Sequence, residues 1–344
     1  MENQIKISGR VIGPKHKPFV IAEIGINHDG DYEKAKRMVY DAHKVNAECV
    51  KFQYHVIEDE MIKNDVIPAN ANASIWEIVS KCRLSDEEHK KLKKYTEELG
   101  MIYLCTPFSR AAANKLAEMD VPAFKIGSGE CNNYPLIKHI ASFKKPIILS
   151  TGMNNIPSIK KATKILDDVG IEYAILHCTS LYPTPYDKVR LGALEILKKE
   201  FPNAVIGLSD HSIGNYTSFG AVALGGTIIE KHFTSDKTWP GPDIEISISL
   251  AELKDLIIGC NAIHYALGGS KEILNEERPT IDFAYASVVT IENIKKNEEF
   301  TVDNIWVKRP GTGEILAENY EEILGKKAKE DIKKCTQLKW DQIE

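Results

Sequence analysis

Eight times between residues 19 and 233, a short apolar run of strand length gives way to a longer amphipathic stretch. The runs cover residues 19–25, 49–54, 102–106, 123–127, 146–151, 173–179, 204–210 and 227–233. Ile, Val, Leu and Phe dominate them with little alternation, the pattern of parallel strands buried on both faces. The stretches between, among them 32–45, 86–99 and 156–169, carry helical periodicity, and Ser85 with Glu88 three residues on forms a capping box. Eight β-then-α units in about 250 residues predict a (β/α)8 barrel. An open doubly wound sheet is the competing arrangement, but no G-x-G-x-x-G follows the first run.

One further helix is expected over residues 250–267, ending at Gly268-Gly269, so the barrel domain is read as 1–269. Residues 270–286 are polar and weakly patterned and read as a linker. Residues 287–344 change character, with strand-like pieces at 287–291 and 305–307, the turn cluster Arg309-Pro310-Gly311-Thr312-Gly313, and a short helix near 318–324. This C-terminal module is near the lower size limit for independent folding, so packing on the barrel or on a partner's barrel would stabilise it.

Composition narrows the function classes. The chain is 43% hydrophobic and 27% charged, ordinary for a globular protein with a large core. No apolar run approaches the roughly 20 residues needed to span a bilayer, and the N-terminus lacks an apolar signal segment. Seven cysteines without a CxxC read as reduced thiols, and the expected location is cytoplasmic. A net charge of -5 argues against general nucleic-acid binding. An anionic substrate would have to be held by a few placed lysines and arginines.

Catalytic groups of such barrels come from the C-terminal ends of strands and the loops after them. Each run ends in polar residues: Glu23, with Asn27 and His28 beyond it; Lys51 and Gln53; Thr106; Lys125, Ser128 and Glu130. The later runs add Ser150-Thr151, then His177, Thr179, Ser180 and Tyr182, then Ser209-Asp210-His211, then Glu230-Lys231-His232. Convergence of all eight on one rim predicts an active site there. His211 and His232 end neighbouring strands, close enough to share a cation for which imidazole is suited, although a single strand-end histidine is ordinarily just a hydrogen-bonding group. Lys51 and Lys125 sit inside apolar runs, where an unpaired ammonium is costly. They either form structural salt bridges with Glu23 or Glu130, or clamp a phosphate and a carboxylate. Gly127-Ser128-Gly129 and Thr151-Gly152 could bring backbone N–H groups to a phosphate, a weak signal because tight βα turns use glycine routinely.

Longer motifs carry a resemblance. Ala22 to His28 (AEIGINH), Val66 to Asn70 (VIPAN), Thr106 to Arg110 (TPFSR) and Phe124 to Asn133 (FKIGSGECNN) are four of them. Leu149 to Asn154 (LSTGMN), Tyr182 to Tyr186 (YPTPY), Gly207 to His211 (GLSDH), Gly241-Pro242-Asp243 and Asn304 to Gly311 (NIWVKRPG) complete the set. In this order, along essentially the whole chain, they resemble the N-acetylneuraminate (sialic acid) synthases and their legionaminate and pseudaminate relatives. These condense phosphoenolpyruvate with an N-acylamino hexose and end in an antifreeze-like (β-clip) domain.

The resemblance implies roles. A divalent metal, Mn2+ first with Mg2+ or Co2+ as alternatives, would be held by His211 and His232 and polarise the sugar aldehyde. Phosphoenolpyruvate would meet Lys51, Lys125, Thr106, Ser128, Ser150, Ser209 and Asn70. Glu23 matches the proposed acid/base group; Gln53, Tyr182 and Asp243 would hold sugar hydroxyls. Arg309 would reach the N-acyl group across a domain-swapped homodimer and help exclude water.

Departures bear on the sugar. Lys51-Phe52-Gln53-Tyr54-His55 stands where K-H-Q-T-H is common, and Phe52 is closer to legionaminate synthases. Ser180 replaces a common Asn and Lys231 a common Arg, and Trp239 lies near the expected sugar end. N-acetylmannosamine ranks first as acceptor, a 2,4-diacetamido-trideoxy hexose second. Three other readings compete. An ice-binding module is opposed by Lys295-Lys296-Asn297-Glu298-Glu299 and Lys326-Lys327. A lysine Schiff-base aldolase would survive chelation, and 3-deoxy sugar-acid phosphate synthases lack the C-terminal domain.

Overall fold

A computed structural model of the chain describes residues 3–344. Two compact units divide it, residues 1–268 and 269–344. Unit 1 opens with a hairpin, β1 (Ile5–Ile7) and β2 (Arg10–Ile12), ahead of the first run recognised in the sequence. Eight parallel strands follow: β3 (Phe19–Gly25), β4 (Cys49–Tyr54), β5 (Ile102–Pro107), β6 (Phe124–Ile126), β7 (Ile147–Ser150), β8 (Tyr173–Cys178), β9 (Val205–Asp210) and β10 (Ile228–His232). They hydrogen-bond in the order β5-β4-β3-β10-β9-β8-β7-β6, with β5 packed beside β6 at the remaining seam, a near-closed barrel.

The helices come in the connections: α1 (Tyr32–Lys44), α2 (Ile57–Glu60), α3 (Ile75–Cys82), α4 (Asp86–Glu98), α5 (Arg110–Glu118), α6 (Tyr134–Ala141), α7 (Ile156–Val169), α8 (Tyr186–Val189), α9 (Ala193–Glu200), α10 (Tyr216–Ala223) and α11 (Leu250–Ala266). Polar residues at the ends of the βα loops start them. Asp31 accepts from the N–H groups of Glu33 and Lys34, and Ser74, Ser85 and Ser249 each complete a capping box.

Little alternation was visible because both strand faces are buried, yet the pleat still separates them. Val20, Ala22, Val50, Phe52, Tyr103, Ile126, Leu149, Ile175, Leu208 and Ile229 pack outward against the helices. Phe19, Ile21, Cys49, Leu104, Ile148, Ala174, Leu176, Val205 and Ile228 point inward. Ile5, Ile7 and Ile12 of the hairpin join that inner cluster, each worth about 1.5–3 kcal/mol on burial. The inner positions nearer the C-terminal ends are Glu23, Lys51, Thr106, Lys125, Ser150, Ser209, Glu230 and His232, all buried. One face of each strand is thus apolar low in the barrel and polar at its top.

The same alternation turns some rim candidates away. His177 lies between inward Leu176 and Cys178, and its Nε2 meets the Val189 carbonyl at 2.7 Å. Lys231 and Asp210 also face outward, 3.0 Å apart and fully buried. Asp210 further accepts from Thr217 and Ser218 at the start of α10. Phe52 packs among His28, His89 and Tyr103 on the helix side. Trp239 lies against α1, with Lys34 and Arg37 5.1 and 5.4 Å from its ring.

Unit 2 has its own core of Val288, Ile294, Phe300, Ile305, Ile315, Ile323, Ile332 and Leu338. Antiparallel β11 (Ser287–Thr290) and β12 (Ile305–Lys308) and the short α13 (Tyr320–Ile323) surround it. The stretch read as an unpatterned linker holds a 3-10 turn, Asn275–Glu277, and α12 (Arg278–Ala284), with proline in its first turn. Too short to show amphipathic periodicity, this helix is tied to the module by the Gly311 N–H donating to Asp282.

Candidate active site

Side chains at the upper ends of β3 to β10 floor a cavity of about 580 Å³. Glu23 and Lys51 are register partners on β3 and β4, and the Lys51 ammonium lies 2.6 Å from the Glu23 carboxylate. Lys51 also donates to Thr106 at 2.9 Å and stands 3.9 Å from Glu230. Across the floor Lys125 donates to Ser150 at 2.7 Å and sits 3.5 Å from Glu230, which accepts from Ser209 at 3.0 Å. Two carboxylates and two ammonium groups therefore alternate in a buried chain. The alternative partner of the lysines inferred from sequence, Glu130, is not one: Lys125 pairs with Glu230, and Glu130 Oε2 has no hydrogen-bond partner.

Burial pushes the Glu23 carboxyl up to about 7; Lys51 pulls the other way and the Glu230 charge adds to the rise. Burial also works against Glu230, but Lys125, Lys51 and the Ser209 hydroxyl outweigh it and hold its carboxyl below the ordinary range. Burial opposes the Lys51 charge too, and Glu23 and Glu230 prevail, raising it. For Lys125 burial wins over Glu230, and its ammonium is lowered. Glu23 is thus the floor group poised to exchange a proton near neutral pH. Burial likewise raises Glu130 to about 7.

Gly25 explains how these groups meet. It has φ of +54° at a register shift between β3 and β4, and a Cβ there would lie 3.3–3.5 Å from Glu23, Gln53 and His232. At Gly152 a Cβ would stand 2.3 Å from the Ser180 hydroxyl and 2.9 Å from that of Ser128. The Gly152 N–H donates to Ser128 instead, at 3.0 Å.

Above the floor, the rings of His211 and His232 lie 5.5 Å apart, with Tyr182 stacked on His211 at 4.2 Å. His211 Nδ1 meets the Thr179 carbonyl at 3.1 Å, so that nitrogen donates; burial works against the ring's charge, but Cys178 outweighs it and raises its pKa. His232 Nδ1 is buried without a hydrogen-bond partner, 3.9 Å from Asp243. Burial, then His211, pushes the His232 ring well below the ordinary imidazole range. Burial pushes the Asp243 carboxyl up to about 6 against the pull of His211. Two imidazoles with open nitrogens suit a first-row divalent cation. Among the described residues no group of three or more His, Cys, Asp or Glu could hold a metal ion. The two histidines would therefore leave much of such a cation's shell to water or substrate.

Of the residues picked out by resemblance, Glu23, Lys51, Gln53, Asn70, Thr106, Lys125, Ser128, Ser150, Ser180, Tyr182, Ser209, His211, His232 and Asp243 all line this cavity. Asn70 donates to the Pro242 carbonyl at 3.1 Å. Arg309 follows β12 in unit 2, its guanidinium 5.5 Å over the Phe283 ring. Sequence reasoning gave no role to Glu230, although it stands two residues before His232 and so shares its face. It also missed His55, Glu60 and Phe108, which line one side, and the apolar wall of Ile26, Ile75, Ile78 and Val79. Phe52 and Trp239, taken as signs of acceptor choice, do not touch the cavity.

Barrel and C-terminal module match known families: residues 38–272 the NeuB family, and residues 285–344 the SAF domain. The chain belongs to the NeuB family, whose function is of the nonulosonic acid synthase type. It is 39% identical to the N,N'-diacetyllegionaminic acid synthase of Campylobacter jejuni, over 92% of this chain and 97% of that one. It is 33% identical to the human N-acetylneuraminate-9-phosphate synthase, over 93% and 90%. The crystal structure of N-acetylneuraminic acid synthetase from Leptospira borgpetersenii superposes with a TM-score of 0.74, at 32% identity over 82% of this chain and 96% of that one.

Proposed function

We propose that this enzyme condenses phosphoenolpyruvate with an uncharged N-acylamino hexose and water, releasing phosphate and a nonulosonic acid. The observation that carries the reading is the floor of Lys51, Glu23, Glu230 and Lys125 beneath two open imidazoles in one cavity. Lys51 and Lys125, with Thr106, Ser150 and Ser209, supply charge and hydroxyls for a carboxylate and a phosphate. C3 of phosphoenolpyruvate adds to C1 of the open-chain sugar, water adds at C2, and phosphate leaves with cleavage of the C2–O bond. Glu23, with its carboxyl near 7, exchanges the proton at the reacting oxygen. His211 and His232 would hold a divalent cation, Mn2+ first, which when bound acts as a Lewis acid toward the sugar aldehyde.

Full activity is expected to disappear in excess chelator and to return with Mn2+, measured as phosphate release. Undiminished turnover in chelator would remove the metal.

N-acetylmannosamine is the first acceptor to test. The apolar wall of Ile26, Ile75, Ile78 and Val79 favours a second reading, a 2,4-diacetamido-trideoxy hexose with a methyl group in place of a hydroxymethyl. Charge speaks on the relatives' other difference, phosphorylation. Phosphoenolpyruvate takes the cavity's two lysines in this reading, while Glu60, Glu130 and Asp243 line the same space. An acceptor phosphate would lack a cation among the described lining residues, a deficit of about 3 kcal/mol. N-acetylmannosamine 6-phosphate should therefore show kcat/KM on the order of 100-fold below N-acetylmannosamine. Parity between the two sugars in phosphate release, with product mass spectrometry, would refute the uncharged acceptor.

A further inference from the structure

Gln53 does not stand alone in the cavity wall. Its Oε1 lies 3.1 Å from Nε2 of His55, and Nδ1 of His55 lies 2.8 Å from the Glu60 carboxylate. The His55 ring is stacked on Phe108, with centroids 4.6 Å apart and planes 12° off parallel. Glu60 closes the one-turn helix α2, and its side chain is only 9% exposed. That helix is itself anchored, since Asp59 accepts from the Ala111 N–H at 2.7 Å in the first turn of α5. All four residues from Gln53 to Phe108 in this chain of contacts line the cavity.

We infer that Glu60 and His55 are positioning residues that hold the Gln53 amide in one orientation toward the acceptor sugar. A carboxylate oxygen and an amide oxygen only accept, so both ring nitrogens of His55 donate, Nδ1 to Glu60 and Nε2 to Oε1 of Gln53. The amide oxygen is thereby held on the ring and the amide nitrogen is the end left for the sugar, while the Phe108 stack blocks rotation of the ring out of line. An amide is two-ended, with an acceptor oxygen and a donor nitrogen, and the two ends are sterically alike. Free in a water-filled cavity it would present either end. Tied to His55 it presents one, so a sugar hydroxyl or acylamino group meets a defined partner without an ordering cost at binding. The function of a buried acid on this rim is then alignment rather than proton transfer.

The inference rests on the acceptor-site reading of Gln53, and the test separates the two. Wild-type enzyme is first assayed with phosphoenolpyruvate, Mn2+ and N-acetylmannosamine or 2,4-diacetamido-2,4,6-trideoxymannose. Absence of phosphate release with both would sink the synthase reading and this inference with it. With turnover in hand, His55→Phe keeps the ring stack and removes both nitrogens. It should raise KM for the sugar about 10-fold, with kcat and KM for phosphoenolpyruvate changed by less than about 3-fold. In a Gln53→Ala background the same substitution should have less than about a 2-fold effect, because there is no amide left to orient. An undiminished 10-fold effect in that background, or a KM for phosphoenolpyruvate that rises in step, would overturn the inference. If His55→Phe does not fold, Glu60→Gln takes its place, with about a 3-fold rise in sugar KM expected and the same loss of effect in Gln53→Ala. No rise in sugar KM for the folded variant would equally overturn it.

Discussion

Lys125→Ala and Lys231→Ala each delete a buried ammonium, and they should fail in opposite ways. Lys231 and Asp210 are fully buried 3.0 Å apart, outside the barrel and beneath α10. Without Lys231, Asp210 keeps its hydrogen bonds from Thr217, Ser218 and the Ser212 N–H but has no counter-charge. Breaking such a pair costs about 3–5 kcal/mol, visible as a lower denaturant midpoint. Lys125 faces the open cavity. When it is removed, Glu230 still has Ser209 at 3.0 Å and Lys51 at 3.9 Å, and water can reach the vacated space. Its loss should change stability by about 1 kcal/mol but remove a charge-assisted contact to phosphoenolpyruvate worth about 3 kcal/mol, lowering kcat/KM on the order of 100-fold. Lys51→Ala should resemble Lys125→Ala in activity and be less stable, because its 2.6 Å partner Glu23 is left behind. If Lys125→Ala melted like Lys231→Ala and its residual folded fraction kept wild-type kcat/KM, the lysine would be structural only.

The second large effect is expected in mixed dimers. We propose that the chain forms the domain-swapped dimer its resemblance implies, in which Arg309 of one subunit would lie over the other's barrel. Arg309→Ala should lose about 1.5–3 kcal/mol of charge-assisted contact, and His211→Ala should be impaired through the metal. In a dimer carrying one chain of each, a swapped module gives the Arg309→Ala barrel an intact histidine and its partner's intact arginine. The other site collects both defects, so one site in two is wild type. Random pairing makes about half the dimers mixed, hence roughly a quarter of all sites active. An arginine acting on its own barrel leaves every site with one defect. Doubly purified mixed dimers no more active than either mutant would reject the trans arrangement while leaving the synthase function intact.

How far each feature could be read in advance follows from the range of the forces behind it. The eight parallel strands were legible because each is buried on both faces and so is apolar throughout. The helix starts were legible at Ser85 because capping is settled within four residues. The rim was legible because strand ends in a barrel share one edge, and fourteen of the residues named by resemblance line one cavity. Pairing was not legible. Glu130 lies five residues from Lys125, yet Glu230, from a strand over a hundred residues away, is its partner. Direction was lost where β-strands lack a polar face: His177 and Lys231 turned outward, and Phe52 packs against helices.

By itself, then, the sequence determined what local pattern and burial determine: eight strand-helix units, their order, a separate C-terminal module, and which polar groups end the strands. Tertiary structure alone decided which of those groups face inward and which carboxylate neutralises which lysine. It also decided that the hairpin of Ile5, Ile7 and Ile12 joins the inner core, and that Glu60 reaches Gln53 through His55. The physical reason is that a pair of buried charges a few ångströms apart is selected by closure of the whole barrel. No local pattern encodes which distant strand will lie alongside.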